Sequence, residues 1–205
     1  LEALARDFVE NGHDLKQLMR RIANSRVYQL SSTPNETNVK DTRQFSRAYR
    51  RRLSAEVMTD AIADVTGVPN SFQGMPAGAR ALQTWNFKLA SDTLDAFGRP
   101  DSSEDCPCER NLGGSVVQAL HLMHADGLQG KLADKRGRIA RLASSGLEEG
   151  KLVDELYLAA LARFPTKEER AIAVEQFGKP EARRQTAAED ILWALINSAE
   201  FVFIH

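Results

Sequence analysis

Two cysteines and two histidines in one stretch carry the most specific chemistry in this sequence. Cys106-Pro107-Cys108 is a C-x-C pair whose thiolates lie within reach of a single metal ion. His121 and His124 follow at i, i+3, on one side of a helix, with twelve residues between Cys108 and His121. The layout resembles a Cys2His2 zinc spacing, but it is tighter at both ends than the usual pattern. The plainer reading is two free or structural thiols and two satisfied, partly buried imidazoles. It is favoured, because spacing alone is only a hypothesis. No cofactor is expected; zinc at Cys106, Cys108, His121 and His124 is the alternative. A Cys–His nucleophile drawn from the same residues lacks an orienting third group and an oxyanion hole. A disulfide between Cys106 and Cys108 would close a small strained ring. Asp101–Asp105 sets oxygens at alternate positions like the start of a calcium loop, without the glycine and the bidentate Glu that such a loop needs.

These residues define a candidate functional loop: Asp101, Asp105, Cys106, Cys108, Glu109 and Arg110. The chain leaves an apolar segment at Phe97, turns at Gly98–Pro100 and re-enters a helix at Val116. A connection of about 17 residues is longer than usual, and such loops are mostly functional or disordered. Two prolines and the C-x-C pair restrict it, which favours order. Near the N-terminus of the Ser115–His124 helix a thiolate would be stabilised and its pKa lowered. Gly113-Gly114 could offer backbone N–H groups to an anion; a tight turn is the favoured reading.

A second chemical stretch is Asp41–Arg52, with Arg43, Arg47, Arg50, Arg51 and Arg52. It reads either as an anion patch, for a phosphate or a glycan, or as arginines that are paired with acids of the next helix or form a solvated face. Glu56 and Asp60 follow at a spacing that favours pairing. The overall charge also favours the second reading: the net charge is −1 and the pI about 6.5. A nucleic-acid partner would call for a basic chain.

The rest of the sequence reads as the scaffold that must position these residues. At 205 residues, 42% apolar and 27% charged, it can bury a core without a staple. No apolar run approaches the ~20 residues of a membrane span, so no membrane insertion is expected. The opening LEALARDFVENG reads as helix and not as a signal peptide, and the lack of an initiator Met suggests a fragment of a longer protein.

Helical periodicity recurs along the chain. Leu4, Phe8 and Val9 mark a helix over Leu1–Asn11, stopped at Gly12. Asp14 caps a second with the stripe Leu15, Leu18, Met19 and Ile22, ending near Val27–Tyr28. Ser31–Asn38 is loop. Ser54 opens and Gly67 closes a third helix through Val57, Met58, Ala61, Ile62 and Val65. Pro69–Ala90 lacks a period and holds at most a short strand near Leu82–Phe87, with Trp85 and Phe87 as core plugs. Leu128, Leu132, Ile139 and Leu142 continue helical spacing across a break near Gly127–Gly130. Glu148–Arg163 is amphipathic and Pro165 breaks it. Capping boxes at Thr166/Glu169 and Thr186/Glu189 open two more helices, the latter over Ala187–Phe201. The expectation is a single all-α domain over residues 1–205, with about eight helices and long irregular loops.

Four stretches carry a family resemblance. They are Arg50-Arg51-Arg52-Leu53-Ser54-Ala55-Glu56; Phe97-Gly98-Arg99-Pro100-Asp101 leading to Cys106-Pro107-Cys108-Glu109-Arg110; Gln118-Ala119-Leu120-His121-Leu122-Met123; and Leu156-Tyr157-Leu158-Ala159 with Arg163-Phe164-Pro165-Thr166 and Leu195-Ile196-Asn197-Ser198-Ala199-Glu200-Phe201. Together they resemble the planctomycete-specific domain one family, a domain of unknown function (DUF1553). The resemblance implies that the chain is the C-terminal part of a multidomain, often cytochrome-c-associated parent that is exported or periplasmic, with other domains of that parent as partners. It implies no catalytic residue. Where many relatives have Asn, this chain has His124, which weakens the zinc reading. The function expected is a non-catalytic helical accessory or interaction module.

Overall fold

A computed structural model of the chain describes residues 1–84, 91–99, 126–179 and 183–204. The chain is mainly α-helical, as its periodicity indicates, with ten α-helices among the described residues. Its contacts divide it into two compact units, Leu1–Arg51 and Arg52–Ile204.

Unit 1 holds α1 (Glu2–Glu10) and α2 (Leu15–Ala23). Between them Gly12 and His13 both take positive φ, and Asp14 caps α2 by accepting from the N–H groups of Lys16 and Gln17. An Arg21–Asp7 ion pair of 3.0 Å and a Gln17–Asn11 hydrogen bond tie the two helices together. Beyond α2 the unit is built from turns held by side chains. Asn35 Oδ1 accepts from Thr37 and Asn38, and Asp41 accepts from the backbone of Arg43, Gln44 and Ser46.

Unit 2 is organised around two helices, α3 (Ala55–Thr66) and α9 (Arg184–Ile196). Ser54 caps α3 and Gly67 ends it in the left-handed region, φ 68°. A 3-10 turn at Ala81–Gln83 and the short α4 (Asp92–Ala96) pack on α3, as do α5 (Asp126–Leu132) and α6 (Arg138–Ser144). α9 packs on α6 and on α7 (Glu149–Leu161). α8 (Lys167–Glu175) packs on α7, and α10 (Ala199–Val202) follows α9. Among the described residues the largest wholly buried side chains include Met58, Leu94, Leu132, Ile139, Leu152, Leu156, Leu192 and Ile196, drawn from six of these helices. One two-stranded sheet, β1 (Arg51–Arg52) with β2 (Phe203–Ile204), completes the regular structure described.

Three local expectations change. The break placed near Gly127–Gly130 falls instead at Asp134–Gly137, and both glycines lie inside α5. Asp134 makes that break by accepting from the Arg136 N–H at 2.7 Å. Leu82 and Gln83 are in the 3-10 turn and not in a strand. Asp60 takes the Ala81 and Leu82 N–H groups, and the Gln83 side chain takes that of Arg80, so no ladder donors remain there. Residues 85–90, including Trp85 and Phe87, lie outside the described residues. Finally, α9 starts at Arg184, ahead of the Thr186/Glu189 box, and stops at Asn197, where Ser198 caps α10.

The C-terminus of α3 is gathered by cations from later in the chain. Lys131 Nζ donates to Val68 O and Pro69 O, and Arg138 donates to Val65 O at 2.7 Å. Positive groups there complement the helix dipole and fill its orphan carbonyls. Burial pulls the Lys131 pKa below its ordinary value, with Asp134 opposing. A Cβ at Gly67 would lie 3.3 Å from Arg138 N and 2.8 Å from Arg141 Nη2, in a backbone region that costs an L-residue about 1–2 kcal/mol. Gly67→Ala is therefore expected to lower stability by roughly 1–2 kcal/mol in urea unfolding; an unchanged midpoint would refute this packing.

Candidate functional site

The candidate loop Asp101, Asp105, Cys106, Cys108, Glu109 and Arg110, and the metal set with His121 and His124, lie outside the described residues. The structure does describe the approach to that loop. Ser91 caps α4, Leu94 and Phe97 are buried, and Gly98 turns the chain with φ 82°. Arg99 Nε donates to Asp95 Oδ1 at 3.1 Å, and its Nη1 is buried with no acceptor. Among the described residues no group of three His, Cys, Asp or Glu side chains could hold a metal ion. None of the described helices is long and apolar enough to cross a membrane.

The basic stretch is described in full. Residues 41–50 form turns, not a helix, and Arg51 and Arg52 form β1. A cavity of about 470 Å3 in unit 1 is lined by Arg47 and Arg50, together with Ser32, Pro34, Asp41, Thr42 and Tyr49. Arg43 and Arg51 do not line it. Arg50 Nε donates to the Ser32 hydroxyl at 3.2 Å, and Arg47 lies over the Tyr49 ring at 5.3 Å. Among the described residues no ion pair involves Arg43, Arg47, Arg50 or Arg51. The Asp41 carboxyl is held far below the usual carboxylate range, first by the Ser46 hydroxyl and then by backbone N–H groups. Burial pulls the Arg52 pKa below its ordinary value.

The helices of unit 1 bury no residue. Val9 is 60% exposed, Leu15 61%, Met19 65% and Ile22 40%. On α2, Leu15, Met19 and Ile22 share a short amphipathic helix with Lys16, Arg20 and Arg21. This exposure has no counterpart on α3 or α9, whose apolar residues form the core of unit 2.

A family model described as "Protein of unknown function (DUF1553)", PSD1, matches residues 1–177. The chain belongs to the PSD1 family. The PSD1 match takes in all of unit 1 and runs through α8, so α9, α10 and β2 follow it. No curated protein and no solved structure matches the chain. The fourth resembling stretch joins across this boundary. Arg163 donates to Glu169 through Nη1 and Nη2 at 2.8 and 2.9 Å, and to Glu200 through Nε and Nη2 at 2.6 and 2.7 Å. Arg163 thus ties the start of α8 to α10. Spacing in the sequence pointed to the Thr166/Glu169 box but not to Glu200.

Proposed function

We propose that this PSD1 chain is a non-catalytic helical interaction module, and that its partner is another domain of an exported parent protein. The observation that supports the reading is the exposed apolar face of α1 and α2. Single exposed apolar residues are ordinary, but a contiguous apolar stripe on an amphipathic helix marks an interaction surface. The basic side chains beside it, Lys16, Arg20 and Arg21, would make the matching surface apolar with acidic residues around it.

Hydrogen exchange compares α2 in the isolated chain and in the full-length parent. The α2 amides are expected to exchange at least about tenfold more slowly in the parent, since burial suppresses local opening. M19E/I22E should abolish that protection while leaving the melting of unit 2 unchanged. Equal exchange in both contexts would sink the proposal.

A further inference from the structure

We infer that the unit 1 cavity is a binding site for a small organic oxyanion ester, one that carries a sulfate or phosphate group. The site uses none of the residues of the α1–α2 face. Its volume, about 470 Å3, falls within the range of about 300–1,000 Å3 for small-molecule sites and exceeds what a bare inorganic ion fills.

Two guanidinium groups line the cavity, and neither is in an ion pair among the described residues. Arg47 Nε is buried and has no acceptor. A desolvated cationic donor left unmade is costly, whereas charge-assisted bonds to an oxyanion are among the strong ones. Arg50 is held in place by Ser32, which is itself buried, and the Ser32 segment is pinned by the Ala48 N–H donating to Ser31 O at 3.1 Å. The one carboxylate in the wall stays ionised but is turned onto the donors of its own turn, and the two guanidinium groups outnumber it. Asp41 Oδ1 accepts from the N–H groups of Arg43 and Gln44, and Oδ2 from the N–H and hydroxyl of Ser46. Tyr49 is fixed too, because its hydroxyl accepts from the Phe45 N–H at 3.0 Å. With Pro34 it offers an apolar wall for the organic body of the ligand, and Thr42 supplies a hydroxyl.

Titration calorimetry and thermal shift with glucose 6-sulfate, glucose 6-phosphate, glucose and inorganic sulfate test the site. At least one ester is expected to bind one-to-one and raise the melting temperature, and the ratio of the two identifies the anion. Glucose should not bind. Inorganic sulfate should bind about tenfold or more weakly than the better ester, for want of contacts to Tyr49 and Pro34. R47Q, which removes a guanidinium with no hydrogen bond among the described residues, should weaken the better ester about tenfold or more. R43Q, outside the cavity, should leave binding intact. A dissociation constant above roughly 10 mM for both esters would overturn the site. So would unchanged affinity in R47Q, equal loss in R43Q, or glucose binding as tightly as the esters.

Discussion

Asp60→Ala is expected to destabilise unit 2 by about 3 kcal/mol, because it leaves one buried and two partly buried donors unpaired at once. Asp60 is 3% exposed, on the inner face of α3. Its Oδ1 accepts from the Ala81 N–H at 2.6 Å and from Asn70 Nδ2 at 3.3 Å, and its Oδ2 accepts from the Leu82 N–H at 3.2 Å. Arg80 Nε stands 3.4 Å from Oδ2 and completes the shell. The carboxylate therefore caps the 3-10 turn at Ala81–Gln83, doing for a distant segment what an N-cap residue does for its own helix. Arg80 is also held by Asp64 at 2.7 Å, so its charge stays paired in the variant. The loss should come mainly from the backbone N–H groups. In thermal unfolding it corresponds to a fall of about 6–12 °C for a unit of this size. Asp60→Asn, which keeps one acceptor, should lose less. A fall below about 1 kcal/mol in Asp60→Ala would mean that the turn finds other partners or water.

Arg163→Ala is the second large effect, expected at roughly 2–3 kcal/mol. All five guanidinium N–H groups are used: four on Glu169 and Glu200, and one on the Phe164 carbonyl at 3.1 Å. The guanidinium also lies over the Tyr157 ring at 5.6 Å. The group is about one-third exposed, which sets the estimate between a surface pair worth under about 1 kcal/mol and a buried one worth about 3–5 kcal/mol. Arg163→Lys should recover little, since an ammonium cannot fork to two carboxylates. The same cluster predicts acid sensitivity. The hydrogen bonds from Arg163 lower the Glu169 pKa from 4.5 to about 2, with the Thr166 N–H adding to the effect. A depressed carboxylate contributes stability that is complete above its unfolded pKa and is lost as pH falls through the folded one. Unfolding midpoints in urea should therefore drop between pH 4.5 and pH 2, and less steeply in Arg163→Ala. Parallel pH profiles for the two proteins would rule out this linkage.

Features set by neighbours in sequence were legible before the structure. Asp14 as the cap of α2, Ser54 and Gly67 as the ends of α3, and the Thr166/Glu169 box of α8 depend on three or four adjacent residues. Local chemistry decides them, and they stand where periodicity puts them. Asp60 and Arg163 were not legible in their roles, because their partners lie 21 and 37 residues away. A buried carboxylate and an exposed one look alike in a helical stripe. The start of α9 shows the same limit. Arg184 donates to the Ala143 and Leu147 carbonyls, and that long-range contact sits ahead of the local box at Thr186. The basic stretch was visible as composition, but not as a cavity. Asp41 and Asn35 fold residues 31–50 through side-chain turns, where no helical period says which arginines share a wall. The cysteine and histidine set lies outside the described residues, so its chemistry rests on spacing.

The Leu53 N–H donates to Val202 O at 3.0 Å, so the first and last backbone segments of unit 2 are hydrogen-bonded to each other. That contact closes a loop of roughly 150 residues, and a pairing so distant forms only after its loop entropy has been offset by nearer contacts. The seam should therefore form late in folding and separate early in unfolding, while α3 and α9 still hold. Tension applied at residues 52 and 204 would open the seam one bond at a time before it reached the helices. The sequence from α3 to α10 thus folds as a ring with a weak join, and a ribosome must have released nearly all of unit 2 before that join can be made.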